Sequence, residues 1–208
     1  MKEKDTGKSR EFDMPITENG RKLYTAHENK NIDIAVITIN GRFINANNLS
    51  FSAFDIDAHA LSSSEFVENG GDEGSYVYML GFPMGLVNIN SNSPICRTGC
   101  IARIDSNEIE TTQKILLDIQ NFPGNSGSPI IAKPELVGIE GTKSLHKAAL
   151  VGIVSGYIPY KERRYDPDEK KIVEVNSENS GIAVANPVEF IREVMQAEDE
   201  TKCLQRRY

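Results

Sequence analysis

Gly124-Asn125-Ser126-Gly127-Ser128-Pro129 is the stretch on which the reading of this chain turns. A serine stands between two glycines, after the turn-prone pair Phe122-Pro123 and before the strand-like run Pro129-Ile130-Ile131. Glycine ahead of the serine lets the backbone turn so that successive N–H groups converge on one point, which a Cβ would hinder. Such a nest stabilises the oxygen that becomes negative when a hydroxyl attacks a carbonyl. The string therefore reads as a serine nucleophile with an oxyanion hole made from its own loop. A plain polar β-turn is the competing reading, because Gly, Asn, Ser and Pro are among the commonest turn residues.

Outward from this loop, strand signals dominate. Residues 75–80, 96–104, 114–119, 129–132, 149–154 and 181–185 are short apolar or β-branched runs between turn residues. Six such strands with Gly-rich turns suffice for one antiparallel barrel. Further upstream, residues 12–17 and 22–26 flank Glu18-Asn19-Gly20, whose Asn-Gly pair signals a hairpin. The run Ile34 to Ile39 predicts another strand, closed by Asn40-Gly41. Residues 46–74 read as a connection with room for one strand. Residues 161–180 are mostly charged or polar and read as a solvated loop. Asn186-Pro187-Val188-Glu189 predicts a helix start, with Asn186 as N-cap and Pro187 at the first position. Val188, Ile191, Val194 and Met195 fall on one face of that helix.

The six-residue string resembles the nucleophile loop of trypsin-like serine peptidases in their disulfide-poor bacterial form. Asn125 stands where that family usually has Asp. Four more landmarks follow the family's order. Residues 31–39, Asn-Ile-Asp-Ile-Ala-Val-Ile-Thr-Ile, look like the segment carrying the triad aspartate. Gly81-Phe82-Pro83-Met84-Gly85 resembles the turn ending the first strand of the second barrel, and residues 95–102 the strand after it. Residues 180–185 with the following helix look like the last strand and C-terminal helix. The resemblance implies an all-β, chymotrypsin-like double β-barrel with an incomplete first barrel and a C-terminal helix. Residues 1–45 would be the remnant of the first barrel and 46–74 the interbarrel connection. Residues 75–186 would form the second barrel, and 187–208 the helix and tail.

It also implies a chemistry: a serine endopeptidase that works through an acyl-enzyme, takes a polypeptide substrate and uses no cofactor. Ser126 would be the nucleophile and Asp33 the acid of the triad. The amides of Gly124 and Ser126 would form the oxyanion hole. Ser155, Gly156 and Tyr157 would offer a strand edge to an extended peptide. The specificity pocket would lie between that edge, Gln120-Asn121 and the strand around Gly181. Neither Gln120 nor Asn121 is acidic, so nothing there predicts a preference for basic side chains.

Acyl transfer by serine needs a base, because the hydroxyl alone is a weak nucleophile at neutral pH. In the family's order a histidine comes before the aspartate. Only 32 residues precede Asp33, too few for the family's usual strands. Three histidines exist: His27, His59 and His146. Thr25-Ala26-His27 is similar to the family's histidine motif, but related bacterial sequences carry a histidine there besides the catalytic one. His59 and His146 are out of order. The matching histidine is therefore not located, and a catalytically dead relative that binds extended peptides is the alternative. An α/β-hydrolase esterase does not fit, since its elbow needs Gly two residues after the serine and Ser128 stands there.

Composition bounds the remaining classes. The chain has 208 residues, a net charge of −7 and 25% charged residues. An acidic balance argues against general nucleic-acid binding, and no apolar run is long enough to span a bilayer. The first ten residues have no apolar core for a signal peptide, so a cytoplasmic location is expected. Three cysteines make a poor disulfide framework. Cys96 and Cys100 on one strand would stand about 13 Å apart, beyond a disulfide's reach of about 7 Å. No His or second Cys pair beside them has zinc-ligand spacing, so no metal site is expected.

Overall fold

The computed structural model describes residues 1–86, 93–135, 143–166, 168 and 170–205. Its N-terminal third holds only short ladders. β1 (Lys2–Glu3) pairs with β6 (Leu49–Ser50), β2 (Thr17–Glu18) with β3 (Arg21–Lys22), and β4 (Thr25–Ala26) with β5 (Ala35–Val36). The predicted Asn-Gly turn joins β2 to β3, with φ of 50° at Asn19 and 77° at Gly20. Two residues with positive φ give the turn whose twist suits a tight hairpin. Strand structure is otherwise shorter than expected: residues 12–16 pair with nothing regular, and of residues 34–39 only Ala35–Val36 are a ladder.

Two short helices follow, α1 (Gly41–Ala46) and α2 (Ser63–Glu68). The side chain of Asn40 caps α1 by accepting from Arg42 and Phe43 N–H. Ser62 and Glu65 close a reciprocal capping box on α2. The connection at 46–74 thus contains a helix as well as the strand allowed for it.

From residue 76 the burial alternates and a sheet forms. β7 (Tyr76–Gly81) turns Val77 and Met79 inward and leaves Tyr76 exposed. β8 (Ile95–Arg103), α3 (Ser106–Thr112), β9 (Ile115–Asp118) and β10 (Pro129–Ala132) follow, then β11 (Ala149–Asp166), β12 (Lys171–Pro187) and α4 (Val188–Gln205). The strands close a six-stranded antiparallel barrel in the order β10-β11-β12-β9-β8-β7, with β10 paired back onto β7. Its interior is filled by Val77, Met79, Ile101, Ile115, Leu117 and Ile130, each at most 1% exposed. Phe66 of α2 joins this core fully buried. All six strands predicted downstream of residue 75 are present. Cys96 and Cys100 lie opposite Leu80 and Tyr76, respectively, and both are free thiols.

Three expectations are corrected. Residues 161–180 are not a loop: β11 and β12 run on past the barrel as a two-stranded ribbon from Pro159↔Asn179 to Asp166↔Lys171. The stretch carries few apolar residues, so no sustained period-2 hydrophobic signal marks it, and pairing continues from the barrel strands. Asn186 is not a helix cap: it is the penultimate residue of β12, and α4 starts at Val188. Met195 is exposed, while Val188 and Val194 are buried. The tail at 206–208 lies outside the described residues.

Helix α4 packs against the outer face of the barrel and clamps the N-terminal segment there. Ile32, Ile34 and Val194 form a second cluster, joined by Ile153 of β11 and by Phe190 and Ile191 of α4. Among the described residues no helix is long and apolar enough to cross a membrane.

Candidate functional site

The Ser126 loop is held by the barrel at both ends. Its exit strand, β10, pairs with β7 on one side and β11 on the other. Within the loop, Asn125 N–H donates to Phe122 O (3.1 Å) and Ser128 N–H to Asn125 O (2.9 Å). Gly127 N–H donates to Val154 O (2.8 Å), and Val154 N–H returns to Ser128 O (2.9 Å). The turn after β7 supports it from below, where Met84 N–H reaches Pro123 O (2.6 Å).

Two glycines make this packing possible. Gly124 has φ of 97°, and a Cβ on it would lie 2.5 Å from Phe82 O. A Cβ on Gly81 would lie 2.2 Å from Ser128 Oγ and 2.5 Å from Asn125 Oδ1. All three contacts are closer than real Cβ atoms make, so Gly124 lies backbone to backbone against the 81–85 turn, and Gly81 lies against the side chains of Ser128 and Asn125.

The loop divides into a buried and an exposed side. Asn125 is fully buried and Ser128 is buried, whereas Gly124, Ser126 and Gly127 face solvent. No described residue accepts from the Gly124 or Ser126 amide. Ser126, expected as the nucleophile, is thus solvent-exposed, and the two amides expected to form the oxyanion hole have no acceptor among the described residues. Neither polar atom of the buried Asn125 amide has a protein partner among the described residues.

Asp33 is also on the barrel's outer face. Its carbonyl accepts from Asn186 Nδ2 at 3.0 Å, and Asn186 Oδ1 accepts from the Lys114 ammonium. In register, Asn186 sits opposite Ile153, and Ile153 opposite Pro129. Two strand spacings, about 10 Å, therefore separate the anchor of Asp33 from the strand that leaves the Ser126 loop. The Asp33 side chain is exposed. Burial pushes the Lys114 ammonium below its usual pKa, and the nearby Asp33 carboxylate acts against that shift. Lys114 and Asn186 were missed as partners of Asp33, because nothing local in the sequence joins residues so far apart.

The histidines lie elsewhere. His27 Nδ1 accepts from Asn29 N–H at 3.0 Å, which leaves Nε2 as the donor to Glu193 of α4 at 2.8 Å. The ring also packs edge-on against Phe190, with centroids 5.7 Å apart. His59 Nδ1 accepts from Asp55 N–H, and His146 is exposed. Among the described residues no histidine is hydrogen-bonded to Ser126 or Asp33.

Beyond Val154 the outer edge of β11 has no strand partner among the described residues; Gly156 and Tyr157 pair with β12, and Ser155 is skipped in that register. Ser155 Oγ donates to Val184 O (3.3 Å), and the register slips between Val154 and Gly156. Asn121 Nδ2 donates to Gly156 O (2.7 Å), while Asn121 O accepts from Asn179 Nδ2. Asn179 Oδ1 in turn takes Gly181 N–H (2.9 Å). The three segments expected around a specificity pocket thus meet through Asn121. Compared with known proteins, the sequence matches no family model and no curated relative.

Proposed function

We propose that this chain carries a serine endopeptidase site of the trypsin-like kind on a chymotrypsin-like arrangement whose first barrel is reduced to short ladders. The observation that carries the reading is the exposed Ser126 hydroxyl beside the acceptor-free amides of Gly124 and Ser126, in a loop pinned by Gly127 and Ser128 to Val154. Ser126 attacks the scissile carbonyl, and the oxyanion that forms is held by those two amides. The step needs a base to take the hydroxyl proton, and among the described residues no histidine is bonded to Ser126 or Asp33; with such a base in place, Asp33 would orient and stabilise it. The substrate lies along the Ser155–Tyr157 edge. Its direction follows from β10, whose line it continues: N-terminal residues lie toward the ribbon and the scissile bond toward Ser126.

A second reading rests on His27. Its ring is engaged by Glu193 and Asn29, so it is not poised to take a proton from Ser126. Without a base the same edge binds extended peptides and releases them uncut. A fluorophosphonate probe separates the two. The peptidase reading expects labelling of Ser126 that Ser126→Ala abolishes. A folded, unlabelled wild type that still binds an extended peptide at residues 155–157 leaves only the binding reading.

A further inference from the structure

Each amide assigned to the oxyanion hole is the N–H end of a peptide unit whose carbonyl is itself hydrogen-bonded. In the Asn125–Ser126 unit the carbonyl accepts from Ser128 N–H at 2.9 Å, a bond inside the loop. In the Pro123–Gly124 unit it accepts from Met84 N–H at 2.6 Å, a bond that comes from the turn after β7. Peptide units are planar, and none among the described residues is cis, so the C=O and N–H of one unit point in opposite directions. Fixing the oxygen therefore fixes the direction of the amide hydrogen.

The Pro123–Gly124 unit needs this fixing the more. Gly124 has φ of 97°, and a residue without Cβ lets the unit ahead of it rotate at low cost. Turned over, that unit would put a carbonyl oxygen where the amide stands and repel an oxyanion instead of holding it. The bond that holds it has a local cost of its own. Met84 has φ of 56° and ψ of 24°, a left-handed conformation that residues other than glycine seldom adopt. Its side chain is 62% exposed, so core packing does not dictate that conformation. What the left-handed turn does achieve is a close approach: a Cβ on Gly124 would lie 3.2 Å from Met84 N. Strain of this kind persists where the surroundings over-determine it, and it gathers at functional sites.

We propose that Met84 is a positioning residue for the oxyanion hole, acting through its backbone. Its N–H holds the Pro123 carbonyl and so keeps the Gly124 amide aimed at the reacting oxygen. Met84 itself touches no substrate. This role rests on the peptidase reading and deepens it: the Ser126 loop aims one donor by itself, and the 81–85 turn aims the other.

The test is the rate of fluorophosphonate labelling of Ser126 in the full chain, with three changes at position 84. Replacing Met84 by its α-hydroxy acid turns the N–H into an ester oxygen and keeps the side chain. That change is expected to slow labelling about a hundredfold, the scale of losing one oxyanion donor. Met84→Ile, whose branched Cβ disfavours the left-handed region, is expected to slow it as well. Met84→Gly keeps the N–H and accepts the positive φ, so it is expected to label at the wild-type rate. Rates are compared where each variant gives the wild-type circular dichroism. A nuclear Overhauser contact between the Gly124 and Ser126 amide hydrogens reads the aim without any chemistry. It is expected in wild type and Met84→Gly, and lost in the ester and Met84→Ile. The proposal is overturned if the ester labels at the wild-type rate, or if Met84→Gly slows as much as Met84→Ile. A wild type that takes no label overturns the peptidase reading, and the aim of Gly124 is then judged on the Overhauser contact alone. Its absence from wild type, or its survival in the ester, overturns the positioning role.

Discussion

Asn125 is the residue at which the resemblance and the structure meet most sharply. Its side chain is fully buried, and neither its Oδ1 nor its Nδ2 finds a protein partner. An aspartate at this position, the family's usual choice, would bury a charge with no cation bonded to it. Asn125→Asp is therefore expected to destabilise the fold by about 3–5 kcal/mol at neutral pH. The introduced acid would titrate above the usual carboxylate range, so the loss should grow as pH rises through its raised pKa. Urea unfolding at pH 5 and pH 8 reads both, and equal stability to wild type at pH 8 would refute the account. The Ser126 exposure and the glycine requirements were legible in the string itself, because both depend on local backbone chemistry. The Lys114–Asn186–Asp33 contacts were not, since they join residues brought together only by the closed barrel.

Among the elements, α2 couples local capping to tertiary packing. Ser62 Oγ accepts from Glu65 N–H, and the Glu65 carboxylate accepts from Ser62 N–H at 2.7 Å. The same carboxylate takes Arg192 of α4 at 2.9 Å. The Ser62 backbone bond first, and Arg192 second, hold Glu65 at a pKa of about 2 against an ordinary 4.5. A carboxylate with a depressed pKa stabilises the fold above its unfolded value, and that contribution disappears as pH falls through the folded one. The stability gap between wild type and Glu65→Gln is thus expected to be full above pH 4.5 and to close toward pH 2. Ser62→Ala should cost about 1 kcal/mol. Thermal melts across that pH range test both. Sequence reasoning missed α2 because six residues give little periodicity. It found every barrel strand because alternating β-branched runs bounded by glycine are a strong signal. It misread the ribbon because a mostly polar stretch with few apolar residues carries no such signal.

For the whole molecule, packing is uneven. The barrel interior is sealed, whereas the ribbon from Pro159 to Asp166 is a two-stranded arm with Tyr160 and Tyr165 more than half exposed. An isolated two-stranded hairpin is marginal at best in water. Native-state hydrogen exchange should therefore show two classes: barrel amides of β7 to β10 opening only with global unfolding, and ribbon amides opening locally at much lower free energy. A single uniform class would contradict the description. Within the barrel, β10 is the strip that joins the two ends of the sheet, and it begins three residues after Ser126. The hydroxyl thus stands at the seam where the cylinder is sewn shut. A molecule in which that stitch comes undone loses the setting of the Ser126 loop along with its shape, so on the proposed peptidase reading unzipping and loss of fluorophosphonate labelling would be one and the same event.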